Sequence, residues 1–195
     1  LEQIHLILNK LRGAGVIGVC YVGGEPTVRR DLEEIITLTR GLSIVPSMIT
    51  NGLLLDTVRI DALFEAGLAN MGFSLQSMNA AEHDRVVNRE GAFDKLMVAL
   101  EYCLSKEYVA SICAVPTNAS LADGSFDELV RFSEKHELRF NVNLPAPIGR
   151  IFGDKTHLLS AESLEILSQK YLPLPFVTPD FKQTTLSGKV FCPMG

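Results

Sequence analysis

A carboxylate at the end of an apolar run is the first feature of this sequence that could do chemistry. Glu25 follows the nearly continuous apolar stretch Val16 to Val22 and the pair Gly23-Gly24, and it precedes Pro26 and a charged amphipathic segment. Adjacent glycines let a ligand approach the main chain closely. A carboxylate beside them can accept charge-assisted hydrogen bonds from an ammonium group. Related punctuation follows the next apolar runs: Thr50-Asn51-Gly52 after Ile44 to Ile49, and Ser74-Leu75-Gln76 at the end of Asn70 to Leu75. Val115-Pro116-Thr117-Asn118 closes the run from Val109, and Asn143-Leu144-Pro145 closes the run from Leu138. Hydroxyl and amide side chains at such a rim can hold a carboxylate or a ribose, so together they read as a site for a small, zwitterionic, polyhydroxylated ligand. Singly, each piece has a plainer reading. Asn51-Gly52 is also a hairpin signal, and Glu25 is also an ordinary acid near the positive end of a helix. Their order along one sheet is what favours a site.

The elements that must position these residues alternate. Ile4, Ile7, Leu8 and Leu11 recur at helical spacing and Gly13 ends that helix. Leu32, Ile35 and Ile36 start a second helix, closed near Gly41. Asp56 can N-cap a third, carrying Ile60, Leu63 and Phe64 up to Gly67. Phe93, Leu96, Met97, Leu100 and Leu104 form the clearest apolar stripe. Ser125 and Glu128 have capping-box spacing ahead of a further helix, and Ser160 opens another with Leu164 and Leu167. Between these helices lie five apolar runs, read as strands covered on both faces. Strand and helix in strict alternation predict an α/β fold with a parallel sheet and right-handed crossovers, and a run of βα units without reversal fits a TIM-like barrel or part of one. In such sheets ligands sit at the carboxyl ends of the strands.

Bulk properties narrow the function classes. Of 195 residues 47% are hydrophobic, which argues for a packed core, and the net charge of -5 argues against nucleic acid or an anionic membrane as partner. No apolar stretch reaches the roughly 20 residues needed to span a bilayer. The four cysteines, Cys20, Cys103, Cys113 and Cys192, form no close pair, so a reducing, cytoplasmic setting is expected rather than a disulfide scaffold. Cys20, Cys103 and Cys113 lie in strand or helix patterns and are expected in the core. His5 and His136 lie in helical patterns and are expected at the surface, whereas His83 is expected in a loop with a capping or turn role.

At these residues the sequence resembles the radical S-adenosylmethionine family. Gly23-Gly24-Glu25-Pro26 with the trailing Arg30-Asp31-Leu32 is similar to that family's Gly-Gly-Glu-Pro motif, and Thr50-Asn51-Gly52 to its next strand-end signature. Ser74-Leu75-Gln76 stands where Ser-Leu-Asp-Gly is usual, and His83-Asp84 followed by Gly91-Ala92-Phe93-Asp94 resembles the next conserved block. The resemblance implies that Gly23, Gly24, Glu25 and Pro26 fix the amine of S-adenosylmethionine. It also implies that Thr50, Asn51, Ser74 and Gln76 line the cofactor rim, with Ser74 on the carboxylate, and that apolar groups near Val115 and Leu144 pack on the adenine. Gln76-Ser77 replaces the usual Asp-Gly, and Val87-Asn88 stands where Arg-Gly is common, which weakens the ribose contacts carried onto this loop.

The family holds its 4Fe–4S cluster with Cys-x3-Cys-x2-Cys after the first strand, and no such spacing exists here. Because Leu1 to Arg12 reads as a helix already under way, the chain is expected to be a piece of a larger domain, a partial barrel lacking the first strand and its cluster loop. Phe191-Cys192-Pro193-Met194-Gly195 resembles the start of an auxiliary-cluster extension of the SPASM or twitch type, making Cys192 a candidate ligand of a second iron–sulfur cluster. The expected division is residues 1–170 as barrel core and 171–195 as an irregular segment leading into that extension. The implied reaction is reductive cleavage of S-adenosylmethionine to a 5′-deoxyadenosyl radical that abstracts hydrogen from a peptide, protein or cofactor precursor, with ferredoxin or flavodoxin as reductant. This piece alone, without the cluster cysteines, is expected to be inactive. Two other readings stand beside it. A Schiff-base lyase on a βα barrel would need a lysine at a strand end, and none of the five carries one. A non-catalytic binding module would keep the fold and dispense with the cluster.

Overall fold

The computed structural model describes residues 1–145 and 158–179. Helix α1 (Glu2–Gly13) leads into β1 (Gly18–Tyr21), a 3-10 turn (Pro26–Val28) and α2 (Leu32–Gly41). Then follow β2 (Val45–Thr50), α3 (Thr57–Glu65), β3 (Asn70–Ser74), α4 (Ala80–Val87) and α5 (Ala92–Ser105). Strand β4 (Ala110–Ala114), α6 (Asn118–Ala122), α7 (Ser125–Lys135) and β5 (Arg139–Val142) come next. The described chain ends with α8 (Ala161–Ile166), a π-helical turn (Leu167–Tyr171) and β6 (Val177–Pro179).

The six strands stand in chain order in one sheet, every neighbouring pair parallel. This is the expected α/β partial barrel, and among the described residues it is open, with β1 paired only to β2 and β6 only to β5. The registers stack side chains in layers. Met48 lies beside Met71, and Thr50, Phe73, Ile112, Phe140 and Val177 form a lateral row. These outward residues are buried under the helices, against Leu32, Ile36, Leu63, Leu96, Leu100 and Leu129. Polar ties fix the outer layer. Asp61 accepts from the hydroxyls of Tyr102 (2.8 Å) and Tyr108 (3.0 Å), which joins α3 to α5 and, led by the Tyr102 bond, holds its carboxyl below the usual range. Asp127 accepts from Lys170 Nζ and the Tyr171 hydroxyl, each at 2.8 Å, anchoring the π turn to α7; burial, with the Asp127 bond second, pushes the Tyr171 hydroxyl up to about 12.

The inner face is different from the one expected. Cys20, Ser47 and Asn70 form one inner row, while Ser111 and Arg139, then Cys113 and Asn141, extend two others. These side chains border a cavity of about 340 Å³. The strands are therefore apolar on the helix side and largely polar within, and Cys20 is exposed to this cavity instead of joining the core; Cys103 and Cys113 are buried. Three local readings also change. His83 lies on a helix, α4, and is 1% exposed. The capping box is formed by Thr117 and Ser120 at α6, while α7 starts after Gly124 (φ 80°), with Ser125 N–H donating to Asp123. Beyond residue 170, where irregular chain is expected, β6 extends the sheet. No helix among the described residues is long and apolar enough to cross a membrane.

Candidate functional site

The Glu25 carboxylate ties the tips of β1 and β2 together. Its Oε1 accepts from Thr27 N–H (3.1 Å), Thr27 Oγ1 (2.6 Å) and Thr50 Oγ1 (2.7 Å), and its Oε2 accepts from Asn51 N–H (2.8 Å). A carboxylate offers about four lone-pair positions. Oε1 is saturated, whereas Oε2 holds one protein donor and keeps room for another. Thr50 Oγ1 in turn accepts from Gly52 N–H at 3.1 Å, and Asn51 Oδ1 accepts from Leu53 N–H at 3.0 Å, so the second strand end is wound into a tight turn. Gly52 sits at φ 76°, and a Cβ there would lie 3.0 Å from Leu96 Cα, so the turn needs glycine for both conformation and space. At Gly23, φ is 140° and nothing would lie within 4 Å of a Cβ, which leaves the main chain open to an incoming molecule.

These groups surround a cleft of about 300 Å³ at the carboxyl ends of β1 to β3, lined by Gly23, Gly24, Glu25, Thr50, Asn51 and Ser74 together with Val22, Ile49 and Asn143. Six of the residues singled out from sequence thus meet in one place. Pro26, Gln76, Val115 and Leu144 lie outside it. Pro26 is buried at the start of the 3-10 turn, and Leu144 packs against the core. Gln76 Oε1 accepts from Val115 N–H at 3.1 Å, joining the β3 and β4 tips. Cys192 lies outside the described residues.

Two further residues belong to the site. Thr27 is 1% exposed and gives two of the donors that orient Glu25; its signal is the Glu-x-Thr spacing, which lets an acid cap the turn that follows it. Asn143 follows β5, and its Oδ1 is buried without a protein partner while the residue lines both the rim cleft and the inner cavity. Strand parity could have found it. Val142 is buried on the helix side, so its successor Asn143 points inward and Leu144 outward. A buried acceptor without a donor is costly, and Asn143 is the one unsatisfied buried side chain among the described residues.

No group of three or more His, Cys, Asp or Glu among the described residues could hold a metal ion. Cys103 is buried in the helix layer, where burial, with Asp61 adding to it, pushes its thiol up to about 12, the reverse of what a thiolate ligand needs. The described residues therefore do not fit an iron–sulfur cluster. They do fit a small polar ligand with an ammonium group, through Glu25 Oε2 and the open glycine backbone.

Comparison with known proteins agrees with this geometry. The model of the radical SAM superfamily matches residues 1–119. The PqqA peptide cyclase of Gluconobacter oxydans is 36% identical over 86 residues, which is 44% of this chain and 24% of that protein. Molybdenum cofactor biosynthesis protein 1 of Dictyostelium discoideum is 29% identical over 194 residues, 95% of this chain and 28% of that protein. The chain thus spans about a quarter of these relatives' length. Among solved structures, Streptococcus suis SuiB aligns with a TM-score of 0.73 at 21% identity, covering 90% of this chain and 42% of that one. AnSMEcpe with bound AdoMet and a peptide aligns at 0.66 and 18% identity, covering 85% and 48%. At these identities the structural likeness is one of fold. With the superfamily model covering more than half of the sequence, the chain belongs to the radical SAM superfamily.

Proposed function

We propose that this chain is the S-adenosylmethionine-binding half-barrel of an enzyme that modifies a peptide, with a cofactor precursor as the other substrate class in view. The observation that carries this is the convergence of Gly23, Gly24, Glu25, Thr50, Asn51 and Ser74 on one cleft at the strand carboxyl ends. In this reading Glu25 Oε2 accepts from the methionine ammonium, the Gly23-Gly24 backbone lies against the same end, and Ser74 donates to the carboxylate. Asn143 lines the far side of the same cleft. The preset network around Glu25 means that the carboxylate need not reorganise on binding. Support for a peptide comes from the PqqA peptide cyclases among the relatives and from fold neighbours solved with peptides. Support for a cofactor precursor comes from the molybdenum cofactor protein, matched along 95% of the chain. Equilibrium dialysis of the chain against S-adenosylmethionine tests the reading. Saturable one-site binding that Glu25→Ala weakens at least about tenfold, the loss of one charge-assisted hydrogen bond, is expected; equal binding by both proteins would overturn it.

One observation favours a second reading, a non-catalytic binding module that keeps the fold and dispenses with the cluster: the described residues contain no metal-holding group. Neither reading places a 4Fe–4S centre on the described residues, so the coding sequence upstream of Leu1 separates them: a Cys-x3-Cys-x2-Cys spacing there supports the enzyme, and its absence supports the module.

A further inference from the structure

We infer that His83 is a positioning residue for the ligand cleft, acting through Gln76 on the tips of β3 and β4. The inference rests on the ligand-binding reading above. After Ser74 the chain leaves the sheet abruptly, with Leu75 N–H folding back onto Phe73 O at 2.9 Å. That turn leaves the next amide, Gln76 N–H, without a sheet partner, and His83 Nδ1 accepts from it at 3.2 Å. The Gln76 side chain then reaches sideways, its Oε1 accepting from Val115 N–H at 3.1 Å. One imidazole therefore fixes the residue that links two strand ends, two positions beyond the Ser74 hydroxyl of the cleft.

The imidazole is itself held. It is 1% exposed and meets the Phe93 ring edge-on at 5.9 Å, which locks it against α5. Its neighbour Asp84 accepts from Gly91 N–H (2.6 Å) and Phe93 N–H (2.9 Å), so α4 is fastened to the start of α5 beneath it. With Nδ1 accepting, the ring proton sits on Nε2 and the imidazole is neutral. Protonation would place an N–H against the Gln76 N–H and break the link. The groups facing the ring are Gln76 from the β3 loop and Phe93 from α5, both uncharged; Asp84, on its own helix, is the charged neighbour, and its oxygens are engaged elsewhere. Burial lowers the affinity of this ring for a proton, with Asp84 opposing in second place, which keeps the acceptor available at neutral pH.

Substitution distinguishes positioning from bulk packing. An asparagine oxygen can stand where Nδ1 stands, a glutamine oxygen reaches farther, and leucine offers no acceptor. Binding of S-adenosylmethionine to the chain, measured by equilibrium dialysis, is expected to stay within about twofold of wild type in His83→Asn and to fall about tenfold in His83→Leu, one hydrogen bond's worth. Because burial holds the folded-state pKa below the ordinary value of about 6.5, the wild-type affinity is expected to hold at that pH and to drop only in more acidic solution, while His83→Asn shows no such drop. Melting curves recorded alongside identify any variant that fails to fold, in which case the His83→Asn pH profile alone decides. Equal affinity in the leucine variant, or the same pH profile in wild type and His83→Asn, would overturn the inference. A wild-type chain that does not bind S-adenosylmethionine at all would instead overturn the proposed function.

Discussion

The two halves of the rim are organised by opposite chemistry. At the tips of β1 and β2 a carboxylate, Glu25, gathers four donors from Thr27, Thr50 and Asn51. At the tips of β3 and β4 a neutral imidazole and a neutral amide, His83 and Gln76, pass the connection along. Charge-assisted bonds are shorter and roughly twice as strong as neutral ones, so the first half resists loosening and the second is the part that conditions can adjust. A ligand in the cleft would meet one fixed wall at Glu25 and, at Ser74, a strand end whose tunable support lies just outside the cleft.

Several experiments would break or sharpen this contrast. The largest effect is expected from Gly52→Val, which puts a branched side chain at φ 76° against Leu96 Cα; a loss of about 2 kcal/mol or more in chemical denaturation follows from the backbone conformation alone. Glu25→Gln should be nearly as damaging as Glu25→Ala for binding in equilibrium dialysis, because its NH2 would face one of the donors that now point at the carboxylate; an amide variant with wild-type affinity would show that the charge is dispensable. The imidazole half predicts a pH effect on stability. Because burial depresses the His83 pKa in the folded state, the unfolded chain takes up the proton first as pH falls. Stability is then complete above the ordinary value near 6.5 and declines as pH drops from there toward the lowered value; His83→Asn should flatten this part of a denaturation-against-pH curve. The smallest effect is chemical. Peptide-resolved thiol labelling of the folded chain should modify Cys20, exposed to the inner cavity, and spare Cys103, whose thiol burial pushes up to about 12. Rapid modification of Cys103 would mean that the helix layer opens readily.

Much of this was legible in the sequence where a residue type and a strand end coincided. Glu25, Thr50, Asn51 and Ser74 each close an apolar run, and a parallel sheet brings such ends together. Legibility failed where the signal was short or polar. Helix α4 is eight residues long and buries only His83, so it has no apolar stripe to announce it. Strand β6 has three residues, ends on a proline and follows Pro173 and Pro175, which masks any alternation. At β5 the strand end is legible but the face is not, because choosing between Asn143 and Leu144 requires the parity that Val142 sets. The inner face misled for a related reason. Ile49 and Cys113 interrupt the polar row often enough for the strands to read as apolar throughout.

That polar inner row has a further consequence. In a closed βα barrel, bulky aliphatic side chains fill the interior and contribute to folding. Here Ser47, Asn70, Ser111 and Asn141 border a chamber, and the packed core lies wholly between the sheet and its helices. The interior can thus be rewritten residue by residue, toward a different guest, while the scaffold that displays it stays intact.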